Sequence, residues 1–244
     1  MSRNVAFPVA SAAVLIAAFA AAATLAPAMK SIPPPAVETL RRSLRGATAL
    51  VPAPEKPYAQ DSEETKIDVE PKAPWDAKAK HWVRPARASA EYYYDVPDDA
   101  PGVTSEERAL LGPIEVTVGL NGESRFADLA SEGGPPILLQ VPGATAVEVS
   151  AITPGSVQGR VAAMTPRQSE YRLAALTIFI ADPAVEAAVR SAVKSHADPP
   201  SVTAPTSDPA EVQVIAIRIH GPKKPAEEFA RRVPATSLRR LLHR

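Results

Sequence analysis

Histidines are the first candidates for chemistry in this sequence of 244 residues, and there are four of them. They are His81, His196, His220 and His243, and no two have the spacing of metal ligands. Only His220, at the end of a predicted strand, is placed where a general base is held rigidly, and no serine or aspartate is marked out as its partner. The chain has no cysteine, which excludes disulfides, thiolate zinc sites and cysteine nucleophiles. We therefore expect no cofactor and no resident metal.

The short motifs of common enzyme classes are also missing. There is no P-loop, no G-x-G-x-x-G and no H-E-x-x-H. Gly155 and Gly159 enclose a serine that is not central between them, so this is not the nucleophile elbow of an α/β-hydrolase. The acidic run over residues 91–107 lacks the spacing of a calcium loop, and Pro97 stiffens it, so a solvated run of charges is predicted. Because these motifs are missing, we expect a binding function rather than an enzymatic one.

Aromatic side chains cluster with cations over residues 75–94. Five of the chain's twelve aromatic residues lie there, interleaved with basic residues, and the candidate binding residues are Trp75, Trp82, Arg84, Arg87, Tyr92, Tyr93 and Tyr94. One interpretation is a patch that binds a glycan, an anionic polymer or a protein, because flat rings stack and cations pair with anionic groups. The other is that the rings attach a spacer to a folded domain, since aromatic residues bury a large apolar area. The second interpretation is favoured.

The last 22 residues form a second basic region. Lys223 to Arg244 holds seven lysines or arginines and two glutamates. Apolar residues accompany the candidate contacts Arg231, Arg232, Arg239 and Arg240, a combination that suits acidic lipid headgroups or the chain's own acidic run. Pro234 is expected to divide the segment into two short helices. The alternative is a solvated terminus without a ligand.

The N-terminus carries an export or anchoring signal. Residues 5–29 contain no charged side chain, and Ala26-Pro27-Ala28 has the small-x-small form of a cleavage site. The same run is long enough to cross about 30 Å of hydrocarbon as a helix. Lys30 and three arginines follow it, which by the positive-inside rule favours a cytoplasmic C-terminal side. We expect residues 1–29 to be a signal peptide or a membrane anchor, and an exported, periplasmic or envelope location.

Prolines set the expectation for residues 30–108, where eleven of them occur. Each proline removes a backbone donor and restricts the preceding residue, and residues 59–74 are rich in charge with little to bury. This region is therefore predicted to be a charged spacer that is largely disordered. A short helix over residues 35–45 is the exception, because three apolar residues share one face of it.

Periodic segments predict one folded domain over residues 109–222. Apolar residues alternate over residues 114–120, and Asn121-Gly122 then favours a hairpin whose return strand covers residues 125–129. Further strands are predicted over residues 137–141, 147–152, 157–164, 171–181 and 211–220. Asp182-Pro183 begins the clearest helix. The expected fold class is α+β, mainly antiparallel β with one docked helix, followed by a basic helical tail over residues 223–244.

Charge and layout together suggest a function class. The chain has 27 lysines and arginines and 27 aspartates and glutamates, so its net charge is zero and does not favour specific nucleic-acid binding. A hydrophobic N-terminal segment, a spacer and a compact domain suggest an exported or membrane-anchored envelope protein with a non-enzymatic binding or adaptor domain. Its expected partner is a protein or an anionic envelope polymer, with membrane contact through the N-terminal segment and the tail. The alternative is an exported hydrolase acting on an envelope polymer, with His220 in its site.

Overall fold

Antiparallel strands form the framework of the molecule. The computed structural model describes residues 27–122, 136–149, 173–195, 197 and 201–243. The strands are β1 (Ala28–Ser31), β2 (Ala59–Val69), β3 (Lys72–Asp76), β4 (His81–Trp82), β5 (Ala88–Asp95), β6 (Ile114–Leu120), β7 (Ile137–Val141), β8 (Ala144–Val149), β9 (Leu173–Ala181) and β10 (Val214–Pro222). The helices are α1 (Pro34–Leu50), α2 (Ser105–Leu111), α3 (Pro183–Ser195), α4 (Lys223–Arg232) and α5 (Ala235–Arg239).

The main sheet has seven strands in the order β2-β5-β6-β10-β9-β8-β7, and each neighbouring pair is antiparallel. A smaller sheet has the order β1-β3-β4. A mainly antiparallel sheet accompanied by a few helices is the α+β class that the sequence predicts. The finer expectation of one docked helix is wrong, because α1, α3, α4 and α5 all pack on the main sheet.

The alternation of apolar and polar residues explains how the central strands bury one face of the sheet. Strand β6 buries Ile114, Val116, Val118 and Leu120 completely on one face, as the period-two pattern predicts. The neighbouring β10 adds Ile215, Ile217 and Ile219 to the same core. Successive side chains of a strand point to opposite faces, so the residues between these apolar positions lie on the other face. One face is therefore apolar across the sheet, and the other is available for polar groups.

The helices divide between the two faces. Leu40 and Leu44 of α1, Phe229 of α4 and Leu238 of α5 are buried in the large core on the apolar face. On the opposite face, Val189 and Val193 of α3 pack with Val147 and Phe179 over the β7-β8-β9 end of the sheet. In the described part of the chain, this second cluster reaches β10 only through Val214.

The disordered spacer expected over residues 30–108 is wrong for most of its length. This region supplies α1, the small sheet, and the strands β2 and β5 of the main sheet. Many of its prolines lie at element ends, as at the start of α1 and in the loop over residues 51–58, where they disrupt no ladder. The charged residues of β2 lie at the sheet edge, where side chains reach solvent. The helix predicted over residues 35–45 is present and longer.

Strand β6 does not pair in the way that the expected hairpin requires. Its two neighbours in the sheet are β5 and β10. Asn121 does have the positive φ that favours a turn, at 55°, but it is a buried connector. Its Nδ2 donates to the carbonyls of Ala86 and Glu211 at 2.9 and 2.8 Å, and its Oδ1 accepts from the Gln213 amide at 2.8 Å. The strands predicted over residues 125–129 and 157–164 lie outside the described residues, as do residues 1–26.

Candidate functional site

The two tryptophans form a pair inside the small sheet. Trp75 of β3 and Trp82 of β4 are register partners, and their rings meet edge to face with centroids 5.1 Å apart. The Nζ atom of Lys30 lies 3.6 Å from the Trp75 ring centroid, a cation–π contact that involves β1. Trp82 is 3% exposed, and its backbone pairs with that of Thr206. This placement supports the attachment interpretation for these two rings.

The other five candidate binding residues are divided among different surroundings. Tyr92 and Tyr94 pack on the large core, whereas Tyr93 points to the opposite face of β5 by alternation. Arg84 makes a bidentate ion pair with Glu70, with both donor–acceptor distances at 2.7 Å. Arg87 lies at the edge of a groove on the polar face of the main sheet. The structure therefore does not bring the seven residues into one surface, and their role in binding stays a prediction.

The groove itself is a candidate site that the sequence analysis did not identify. It has a volume of about 830 Å³ and crosses the polar face of β2, β5, β6, β10 and β9. Short residues form much of its floor, namely Ser89, Thr117, Gly119, Ala175 and Ala216. The signal was present in the sequence as the alternate positions of β6 and β10, but the order of the strands was needed to bring these positions together.

Strand register places the charged residues of the groove in rows across the sheet. Arg218 of β10 lies opposite Thr117 of β6, which lies opposite Glu91 of β5. In the next row His220 lies opposite Glu115. Directly opposite residues on one face have Cβ atoms about 5 Å apart, so these side chains are neighbours. The fold thus supplies the carboxylate beside His220 that the sequence did not mark out.

The chemistry available in the groove is that of polar recognition. Its described lining residues supply hydroxyl groups, carboxylates, two guanidinium groups and one imidazole. Within the ranges that the structure describes, no three histidine, aspartate or glutamate side chains are grouped to hold a metal ion. A second, smaller cavity of about 390 Å³ lies between α1 and the β2–β5 pair, where Arg41 and Arg45 meet Ile67.

The basic tail folds as the two predicted helices and packs on the sheet. Pro234 separates α4 from α5. Phe229, Val233 and Leu238, which are among the apolar residues that accompany these arginines, are buried in the large core. Arg231 pairs with Glu227 at 2.7 Å and Arg232 with Glu55 at 3.0 Å, while Arg239 pairs with Glu186 at 2.6 Å and Arg240 is exposed. These acidic partners lie outside the acidic run over residues 91–107, and contact with an external anionic surface stays a prediction.

Two buried carboxylates hold the C-terminal helices to the sheet. Glu186 of α3 accepts hydrogen bonds from Arg239, from the Thr145 hydroxyl at 3.2 Å and from the Ala181 amide at 3.2 Å. Glu148 of β8 is 1% exposed and forms an ion pair with Lys223 at the start of α4. A buried charge is tolerated only when it is paired and hydrogen-bonded, and both carboxylates meet this condition.

His243 links the end of the chain to two loops. Its Nδ1 lies 2.9 Å from Oε1 of Glu211, and its Nε2 lies 3.1 Å from Oδ1 of Asp182. Hydrogen bonding to Glu211, and then to Asp182, raises the pKa of His243 above its ordinary value of 6.5. Burial would raise the pKa of Glu211, but hydrogen bonds from Thr206, His243 and Gln213 lower it below its ordinary value of 4.5.

The contribution of His243 to stability is expected to depend on pH. A raised histidine pKa stabilises the fold fully below pH 6.5 and loses this effect as pH rises through the folded pKa. A lowered pKa of Glu211 acts above pH 4.5 and is lost as pH falls through its folded pKa. The melting temperature of His243→Ala should therefore fall furthest below that of the wild type between pH 4.5 and 6.5. A deficit that is the same at pH 9 as at pH 5.5 would contradict the assignment.

None of the helices in the described ranges has the length and apolar character needed to cross a membrane. Comparison with known proteins finds no matching family model, no matching curated protein and no matching solved structure. The fold and the site therefore define this chain only as an antiparallel sheet domain with helices on both faces and a polar groove on one of them.

Proposed function

We propose that this chain is an exported or membrane-anchored envelope protein whose folded domain binds a partner without catalysing a reaction. The proposed binding function rests on the groove of about 830 Å³ across the polar face of the sheet. Its volume lies in the range of about 300–1,000 Å³ that is typical of ligand sites. Short residues on the floor give it depth, and charged side chains around them give it specificity.

The location rests on the N-terminal sequence alone. The uncharged run over residues 5–29 and its small-x-small site support export, with cleavage or anchoring as the two outcomes. Cell fractionation followed by mass spectrometry of the mature N-terminus tests both outcomes together. Recovery of the intact chain in the cytoplasmic fraction would contradict the proposed location.

Filling the groove is expected to weaken binding without unfolding the domain. A Cβ atom at Gly119 would meet only the Ala216 carbonyl oxygen, at 3.6 Å, which is an ordinary van der Waals contact. Gly119→Leu should therefore project a side chain into the groove and weaken partner binding by at least about tenfold, or 1.4 kcal/mol. Immobilised wild type and variant are incubated with a solubilised envelope fraction, and the bound species are quantified by mass spectrometry.

Gly119→Ala is the matched control, because it adds a Cβ atom at the same place and fills little of the groove. We expect it to retain the species that the wild type enriches. Thermal unfolding of all three proteins verifies that they are folded. If Gly119→Leu is folded and enriches the same species as the wild type, the groove is not the binding site.

A hydrolase acting on an envelope polymer is the second candidate function. The register of β6 and β10 favours it, because His220 and Glu115 are neighbours in the groove, and such a pair can act in acid–base catalysis. This alternative requires release of polymer fragments by the wild type and loss of that release in His220→Ala. Binding that survives in His220→Ala, with no fragments released by either protein, would support the adaptor.

A further inference from the structure

The described residues that line the groove carry more negative than positive side chains. Four of them are carboxylates, those of Asp68, Glu70, Glu91 and Glu115. Two are guanidinium groups, those of Arg87 and Arg218, so among the described lining residues the carboxylates exceed the guanidinium groups by two. Both arginines already take part in hydrogen bonds or electrostatic interactions. The excess charge favours a cationic ligand over an anionic one.

Three of these carboxylates are available to a ligand. Glu70 is occupied by Arg84 through two hydrogen bonds. Within the described ranges, Asp68, Glu91 and Glu115 form no hydrogen bond and no ion pair. Lys66 lies opposite Glu91 in the register of β2 and β5, but no ion pair within 4.0 Å joins them. The three carboxylates lie on three adjacent strands and share one face of the sheet.

A largely buried threonine in the same groove is a second, independent observation that points to a ligand. Thr177 of β9 lines the groove and is only 4% exposed. No hydrogen bond joins its side chain to another residue in the part of the chain that the structure describes. A polar group bound in the groove could therefore hydrogen-bond to this hydroxyl. Thr177 lies opposite Arg218, within the row that leads to Glu91.

The length of the groove fits an extended polypeptide. Its lining comes from five successive strands of the main sheet, from β2 at one edge to β9. Four inter-strand spacings of about 4.8 Å give a length of about 19 Å. An extended chain advances about 3.3 Å per residue, so about six residues would lie across the groove.

We propose that the groove binds an extended segment of a partner polypeptide that carries lysine or arginine side chains. The cationic side chains pair with Asp68, Glu91 and Glu115, and the Thr177 hydroxyl hydrogen-bonds to a polar group of the segment. This inference rests on the proposed binding function and names its ligand class. An anionic polymer, the other partner expected from the sequence, would meet the excess of carboxylates among the described lining residues.

Peptide binding to the purified full-length chain tests the inference. The probes are two fluorescent six-residue peptides, one alternating glycine with lysine and the other alternating glycine with glutamate. We expect the lysine peptide to bind, with a Kd that rises with salt because the contacts are charged. The double variant Glu91→Gln with Glu115→Gln should raise this Kd at least about tenfold. The matched control is Glu106→Gln, an exposed residue of α2 outside the groove lining, which should leave the Kd unchanged.

Each other outcome overturns the inference. Absence of lysine-peptide binding overturns it, as does binding that the double variant leaves unchanged. Binding of the glutamate peptide that Gly119→Leu blocks also overturns the cationic preference, but it leaves the proposed binding function standing. The binding function itself fails when Gly119→Leu leaves the envelope species unchanged, whatever the peptides do. Thermal unfolding of every variant separates loss of the fold from loss of binding.

Discussion

Trp82→Ala is expected to lower the free energy of unfolding by about 3–5 kcal/mol, the range for truncating a buried aromatic side chain. The ring is 3% exposed, belongs to the large core and meets Trp75 edge to face. Its removal leaves a cavity in the large core, and the loss of the aromatic pair adds to the cost. Urea unfolding followed by circular dichroism measures the change.

Val83→Ala is the control for that experiment, because the neighbouring side chain is 37% exposed and its truncation should cost less than about 0.5 kcal/mol. Trp82→Phe retains most of the apolar area and should cost less than the alanine variant. A Trp82→Ala protein that is as stable as the wild type but binds its partner less well would contradict the structural role and restore the binding interpretation of the aromatic cluster.

Arg239→Ala is expected to cost about 2–4 kcal/mol of stability, because it leaves a buried carboxylate without its closest cation. The guanidinium group donates to Glu186 at 2.6 Å and to the carbonyl oxygens of Gly143 and Ala181. The cost stays below the maximum for buried ion pairs for two reasons. The Arg239 side chain is 34% exposed, and Arg190 remains 3.6 Å from Glu186.

Arg240→Ala is the matched control in the next position, since that residue is exposed and surface charges contribute little. Arg239→Lys keeps the charge but loses the planar group that contacts three acceptors, so we expect an intermediate loss. Equal stability of the Arg239→Ala and Arg240→Ala variants in urea unfolding would show that the buried ion pair does not hold the tail in place.

Local patterns in the sequence predicted the elements with strong periodicity. The alternation of β6, the start of α3 after Asp182 and the break at Pro234 all follow from short-range physical rules. Strand β2 has no such pattern. Its position at the edge of the sheet favours charged side chains, and its stability comes from pairing with β5. A charged edge strand and a charged spacer look alike in composition, and this similarity explains the wrong prediction for residues 59–69.

The candidate site depends on long-range pairing, which the sequence does not reveal. His220 and Glu115 are separated by 105 positions in the chain, and only the register of β6 and β10 makes them neighbours. The tail shows the same limitation, since its charged residues suggested an external anionic surface while their partners Glu55 and Glu186 are distant in sequence. Individual side chains could be named as candidates, but the groove that several of them share could not.

The order of the strands has a consequence for when the protein can fold. Strand β10 occupies the middle of the main sheet and is the only described strand that joins β2-β5-β6 to β9-β8-β7. Among the described strands it is also the last in chain order, so it is synthesised after all the others. Until then the nascent chain holds two three-stranded halves without the partner that connects them. We therefore expect the main sheet to be completed only after all its other described strands have been synthesised.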